Sequence, residues 1–344
     1  MVVATAAQPE GARDRVCAWY GDARDGVLYF GESAFWAATN AAGDALAEQR
    51  GPARPRRIGR FDLVGARLLA PLDAGALAPT GVWDVLAHPN GRVYFTTWYD
   101  AMGWVEPESG AVRTLPELGR GLNEIAPGPG GSLLVSRYGD PDDPGSSGGV
   151  LVASLDGELL AEHPLAPPPG YRTAPKTVGY DAARDEIWVT TDLFGPPGSA
   201  IRHDAYVLDG AGREKRRIET PEVQFAAFRP EGGGVVAEVD GARLELRLRP
   251  REGADRVLLA DGAFANGLDF VQDIHFAPDG RAVVTRWSGT VHVVSREGAL
   301  ETLRLPELPE RGLYYSGALA DGRVCATHCA GIEVVCAPVG ASPR

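Results

Sequence analysis

Residues Asp273 to Val294 read DIHFAPDGRAVVTRWSGTVHVV. Apolar, β-branched runs are separated by Asp279-Gly280 and Ser288-Gly289, which spells strand, tight turn, strand, tight turn, strand. The unit recurs. DVLAHPNGRVYFTTW starts at Asp84, EIAPGPGGSLLVSRY at Glu124, FAAFRPEGGGVVAEVDG at Phe225 and YSGALADGRVCATHCAG at Tyr315. Looser copies are AWYGDARDGVLYFGES from Ala18 and VGYDAARDEIWVTTD from Val178. Seven copies spaced roughly 49 residues apart fall in the range of propeller-type arrays. One such unit cannot cover its own apolar faces, whereas seven arranged radially can. The expectation is an all-β, seven-bladed β-propeller, with six blades as the alternative.

The repeat argues for one domain over residues 1–344. The last copy has only three strands, YYSGALA, GRVCATH and GIEVVCAP, before the chain reaches Arg344. A strand at Val2 to Thr5 would supply the fourth and close the ring without leaving an open edge. Blade one runs from about Val16 to Asp73, blade two from Gly81 to Leu118, blade three from Gly121 to Leu165 and blade four from Thr173 to Thr220. Blades five, six and seven begin near Val223, Gln272 and Tyr314. Long connections after the second strand interrupt blades one, three and four. Asp44 to Arg50, with Asp44 placed as an N-cap, is the best short helix candidate.

The 44 Gly and 27 Pro suit many short strands joined by turns. With 34 basic and 46 acidic residues, net −12, and no basic run, the chain offers no footprint for nucleic acid. No apolar run approaches the roughly 18 residues that span a bilayer. The start, MVVATAAQPEGARDRV, lacks the basic flank and long apolar core of a secretory signal. These features suggest a cytoplasmic monomer that acts on a small molecule without nucleic-acid or membrane partners. If Ala330-Gly331 is a two-residue turn, Cys325 lies opposite Cys336; a disulfide is conceivable there, and buried free thiols are the favoured expectation.

Propeller topology puts the start of each first strand and the end of each second strand on one face, near the central channel. Aligning the copies gives a first-strand column of Trp19, Asp84, Glu124, Val178, Phe225, Asp273 and Tyr315. The second-strand column is Glu32, Thr97, Arg137, Thr191, Glu238, Arg286 and His328, polar or charged throughout. One reading is that strand ends simply become wet, and a hairpin register would put Glu238 opposite Arg243 and His328 opposite Glu333. Charged groups that instead converge on a channel must be paired, solvated or bound to a ligand. On that view His328 moves a proton with Glu32 and Glu238 as companions, while Arg137, Arg286, Thr97, Thr191, Trp98 and Tyr315 hold substrate. Trp36, Trp98, Tyr99 and Trp104 are available as apolar lining. Asp84, Glu124 and Asp273 beside Asn123 offer hard oxygen ligands for calcium or magnesium, or else accept hydrogen bonds from neighbouring strand ends. His163 and His203 read as surface residues.

The pattern of an acidic or Asn residue, several apolar positions, P-[DN]-G-[RK] and a second strand resembles the gluconolactonase/SMP-30 and paraoxonase-like propellers. It resembles the streptogramin-lyase and NHL-type propellers equally. The first likeness implies a calcium-dependent lactonase with Glu124, Asn123 and Asp273 at the metal, although those enzymes have six blades and this chain lacks their Glu-Gly-Pro motif. The second implies a magnesium-dependent C–O lyase with a His base, although the repeated Trp-Phe-Thr-Glu strand is missing. The leading expectation is metal-assisted hydrolysis of a lactone or ester carrying an anionic group, with Arg137 and Arg286 on its carboxylate. A metal-dependent lyase and a non-catalytic binding propeller are the alternatives.

Overall fold

The turn sequence shared by the repeats explains itself in atomic detail. In Pro278-Asp279-Gly280-Arg281, Asp279 Oδ1 accepts the backbone N–H of Arg281 at 3.0 Å, and Gly280 takes φ of 82°. In Pro89-Asn90-Gly91-Arg92, Asn90 Oδ1 accepts the Arg92 N–H at 3.1 Å, and Gly91 takes φ of 96°. The short side chain closes the turn, and glycine occupies the left-handed position without a Cβ penalty. Each turn delivers one strand antiparallel to the next.

The computed structural model describes residues 2–6, 16–33, 56–75, 81–97, 102–139, 143, 146–240, 243–261, 269–306, 313–329 and 331–340. Among them, strands form seven four-stranded sheets. The innermost strands are Cys17–Arg24, Val85–Ala87, Leu122–Pro127, Arg172–Asp181, Glu222–Phe228, Val271–Phe276 and Tyr314–Ala320. The seventh sheet is completed by the N-terminal strand Val2–Ala6, paired antiparallel with Ile332–Pro338 from Val2↔Cys336 to Ala6↔Ile332. The ring therefore closes at the termini, and the expected seven-bladed propeller is the observed one. Asp44 to Arg50 lies outside the described residues. No described helix is long and apolar enough to cross a membrane.

Seven apolar clusters each join two neighbouring blades, so the core is distributed around the ring. At the closing seam, Phe30 and Phe61 of blade one pack with Ile332 and Val334 of blade seven. Burying both faces of every sheet in this way supplies the hydrophobic driving force that an isolated blade lacks.

The cysteine expectation needs correction. Cys325 does lie opposite Cys336, but the two are joined as a disulfide, since direct cross-strand neighbours hold their Cβ atoms within bridging reach. Cys17 and Cys329 form a second disulfide. Ring closure brings these two together from a sequence separation of 312 residues, a pairing the local sequence does not signal.

Candidate functional site

The innermost strands do not run straight into the channel. Register shifts break the first hairpin of blades one, three, four, five, six and seven near its start. In blade three the pairing jumps from Leu122↔Arg137 to Ile125↔Val135, so Asn123 and Glu124 together face Ser136. Such a bulge re-aims side chains and ends the regular ladder. Hydroxyls of the second strand hold the bulges and tie them to the next blade. Thr96 Oγ1 accepts the Asp84 N–H at 3.3 Å and donates to the Asn123 carbonyl at 2.7 Å. Ser136 repeats this between Glu124 N–H and the Lys176 carbonyl, both at 3.0 Å.

A cavity of about 370 Å³ lies where the bulged strands converge, lined from blades one to six. Its aromatic wall is Tyr20, Trp83, Phe225, Phe270 and Trp287. Its charged lining is Asp84, Glu124, Glu222 and Asp273 with Lys176 and His203. Four members of the first-strand column, Asp84, Glu124, Phe225 and Asp273, therefore meet as expected. Val178 does not; the bulge between Pro175 and Thr177 moves the frame, so Lys176 and Thr177 face the cavity and Val178 packs between blades three and four. Trp19 and Tyr315 are buried beside the cavity-lining Tyr20 and Trp83.

None of the second-strand column lines the cavity. Adjacent residues on a strand point to opposite sides, so when Thr96, Ser136 and Thr327 reach the next blade, Thr97, Arg137 and His328 cannot. Their polar groups are engaged within their own blades. Glu32 pairs with Arg57 at 3.2 Å, His328 Nδ1 contacts Glu333 at 3.0 Å, and Arg137 pairs with Glu162. Glu238 stands opposite Glu245 rather than Arg243, and pairs with Arg247. Arg286, 2% exposed, holds Asp269 at 2.8 Å. Thr191 Oγ1 accepts the Ala174 N–H at 2.9 Å, and Thr97 is buried outside the cavity. Trp104 packs under the Arg92 guanidinium, 4.1 Å from its ring centre. Trp36, Trp98 and Tyr99 lie outside the described residues.

Two of the four expected metal ligands already hold hydrogen-bond partners. Asn123 donates its amide to the carbonyls of Pro175 and Lys176 at 3.3 and 3.0 Å, and its Oδ1 accepts the Trp83 indole at 2.5 Å. Asp84 Oδ2 accepts the Ile125 N–H at 2.8 Å. Among the described residues no three of His, Cys, Asp and Glu stand together as a metal-ligating group. Asp84 and Asn123 are thus tied into the blades, while Glu124 and Asp273 line the cavity beside them. Burial instead pushes the carboxyls toward their neutral forms. Asp84 is raised to about 7 and Asp273 to about 6, each chiefly by desolvation. Glu124 is raised well above its ordinary value by desolvation and by repulsion from Asp84 and Asp273.

One candidate pair is absent from the sequence reading. In blade four Asp192 pairs in register with His203, and Asp192 Oδ1 lies 2.6 Å from His203 Nδ1. Lys176 Nζ approaches the same oxygen at 3.1 Å. The Asp192 hydrogen bond raises the His203 pKa against the opposing effect of burial. Such a carboxylate fixes the imidazole tautomer and orientation, leaving Nε2 for proton transfer. The available signal was the placing of Asp192 and His203 at the two ends of the loop LFGPPGSAIR.

No protein-family model matches the chain, and no curated protein matches it in sequence. Solved structures do match in shape. The structure titled streptogramin B lyase superposes with a TM-score of 0.57 at 12% identity, covering 94% of each chain. The WD40 propeller domain of Doa1 gives 0.58 at 12% identity, covering 97% of this chain and 96% of that one. Virginiamycin B lyase from Staphylococcus aureus gives 0.54 at 10% identity, covering 93% and 94%. The chain is a seven-bladed β-propeller whose fold is similar to that of the streptogramin-lyase propellers.

Proposed function

We propose that the protein is an enzyme that cleaves a C–O bond of a small molecule by elimination in the channel cavity. The observation that carries this reading is that the Asp192-supported His203 and the proton-holding carboxyls share one cavity. Elimination β to a carbonyl needs a base and an acid with opposite protonation states, and environments that separate two groups in this way mark acid–base roles. His203 Nε2 takes the proton from the carbon beside the carbonyl. The electron pair forms the new C=C bond as the β C–O bond breaks, and the protonated Glu124 gives its proton to the departing oxygen. The Lys176 ammonium, held beside Asp192, is placed to stabilise the enolate oxygen. His203 then releases its proton to water and Glu124 takes one up, which restores both groups. Two of the propellers similar in fold are named as lyases, which agrees with the reading without carrying it.

The anionic substrate first expected loses its supporting residues, because Arg137 and Arg286 are engaged outside the cavity. Hydrolysis of a lactone or ester remains the competing reaction for the same cavity. A panel of β-oxygen-substituted carbonyl compounds and lactones, run in ¹⁸O-labelled deuterated water, decides between them. Unlabelled alkene products, exchange of the hydrogen beside the carbonyl, and loss of turnover in His203→Gln are expected. Products carrying ¹⁸O with that hydrogen intact, or full turnover in His203→Gln, would overturn the proposal.

A further inference from the structure

Asp84, Glu124 and Asp273 line the cavity and make no ion pair among the described residues. Two aromatic pairs stand around them. Tyr20 and Trp83 have ring centres 5.6 Å apart, and Phe270 meets Trp287 edge to face at 5.4 Å. The lining cation Lys176 is 3.1 Å from Asp192, so it does not neutralise the trio. A separate observation comes from Gln224, which lines the same cavity and is 8% exposed. Its Oε1 accepts the Val271 N–H at 3.1 Å, while its buried Nε2 has no partner among the described residues. Buried donors of this kind are almost always satisfied in the working molecule. The cavity therefore offers carboxyls, aromatic faces and a waiting N–H donor in one place.

Resting on the reading of this cavity as the site, we infer that its substrate class is a small organic cation carrying an oxygen acceptor. The positive nitrogen sits between the aromatic faces and the carboxyls of Asp84 and Asp273, and the oxygen takes the Gln224 Nε2 bond. Ring faces attract cations, most strongly where both are desolvated. Asp84 and Asp273, which resist ionising beside one another, regain the charged form once a cation joins them, while Glu124 keeps the proton it gives to the leaving oxygen. An anion meets repulsion from the same groups, and a neutral molecule gains only the apolar contact.

Three molecules of one shape test this on the full chain: choline, its neutral isostere 3,3-dimethylbutan-1-ol, and the anion 3,3-dimethylbutanoate. Trp83 and Trp287 line the cavity, so intrinsic fluorescence reports binding. Choline should bind at least about tenfold more tightly than the alcohol, a difference of ~1.4 kcal/mol, and 3,3-dimethylbutanoate should not bind. Asp273→Asn should remove that preference and leave the alcohol's affinity unchanged, with thermal unfolding confirming that the variant is folded. Gln224→Leu should weaken choline and the alcohol alike, since both carry the hydroxyl. Equal affinities for choline and the alcohol, a preference for the anion, or binding of calcium chloride alone with none of choline would overturn the inference. His203→Gln should still bind choline. Failure of the acid–base reading would appear in its turnover and failure of the cation reading in its binding, so the two remain distinguishable.

Discussion

His203 Nδ1 and Asp192 Oδ1 stand 2.6 Å apart across a hairpin of blade four, at the edge of a cavity lined from blades one to six. Because Asp192 raises the imidazole's proton affinity, His203 becomes a competent base only above its ordinary titration range. The activity should rise with pH through the His203 titration and fall again as the carboxyl acid ionises, giving a bell-shaped profile. Asp192→Asn removes the main cause of the upward shift, so the rising limb should move to lower pH and turnover should fall by about 100-fold. An NMR titration of the His203 ring gives the shift independently of activity. A rising limb that stays where it was in Asp192→Asn would show that the pair does not set the profile.

Asp84 carries a pH signature in stability. Its pKa in the folded chain is raised from 3.8 to about 7, mainly by burial. A raised carboxyl pKa contributes stability that is fully present below the unfolded value and is lost as pH rises through about 7. Asp84→Asn keeps an acceptor for the Ile125 N–H but cannot ionise. It should match the wild type near pH 4 and exceed it by on the order of 3 kcal/mol at pH 8. Denaturant unfolding without ligand at the two pH values measures the difference. An advantage that does not grow with pH would mean that Asp84 ionises freely in the native state.

The ring was legible because its causes are local. Asp279-Gly280 and Asn90-Gly91 specify turns wherever they occur, and β-branched runs between them specify strands. The cavity was legible only where the bulges left the alignment intact, at Asp84, Glu124, Phe225 and Asp273. One inserted residue exchanged Val178 for Thr177. The polar column misled because alternation was counted one position late. Its immediate neighbours Thr96, Ser136 and Thr327 reach the adjoining blade, whereas Thr97, Arg137 and His328 face their own. His203 was missed because its partner lies across a long loop, where sequence spacing no longer sets the pairing.

Arg286 illustrates that distinction. Its guanidinium is buried and paired with Asp269, which also accepts the Ser288 N–H and hydroxyl at 2.8 and 2.9 Å. The group ties the entry to blade six to the turn at Ser288-Gly289. Removing one member of a buried pair leaves the other charge uncompensated, so Arg286→Ala should cost about 3–5 kcal/mol. Turnover per folded molecule should be unchanged. A stable Arg286→Ala protein with lost turnover would return this arginine to the substrate.

Thr327 tests whether the bulges join the blades or merely shape them. Its Oγ1 accepts the Ser316 N–H at 3.0 Å in blade seven and donates to the Trp19 carbonyl at 2.9 Å in blade one. A single hydroxyl thus spans the seam that the N-terminal strand also closes. Thr327→Val preserves the β-branched shape while removing both bonds. It strands a buried N–H and a buried carbonyl, each worth about 1–3 kcal/mol when left unsatisfied. The expected loss is therefore roughly 2–6 kcal/mol, near the lower end if the bulge relaxes. Thr327→Ser restores the hydroxyl and should recover most of it. Hydrogen exchange localises the effect, because the Ser316 amide should lose protection in the valine variant while amides of blade four keep theirs. If the bonds only shape blade seven, the valine variant should unfold within about 0.5 kcal/mol of the wild type, as an ordinary substitution does. If they fasten the ring, loss at Ser316 should spread to the Trp19 side of the seam, since both partners depend on one oxygen.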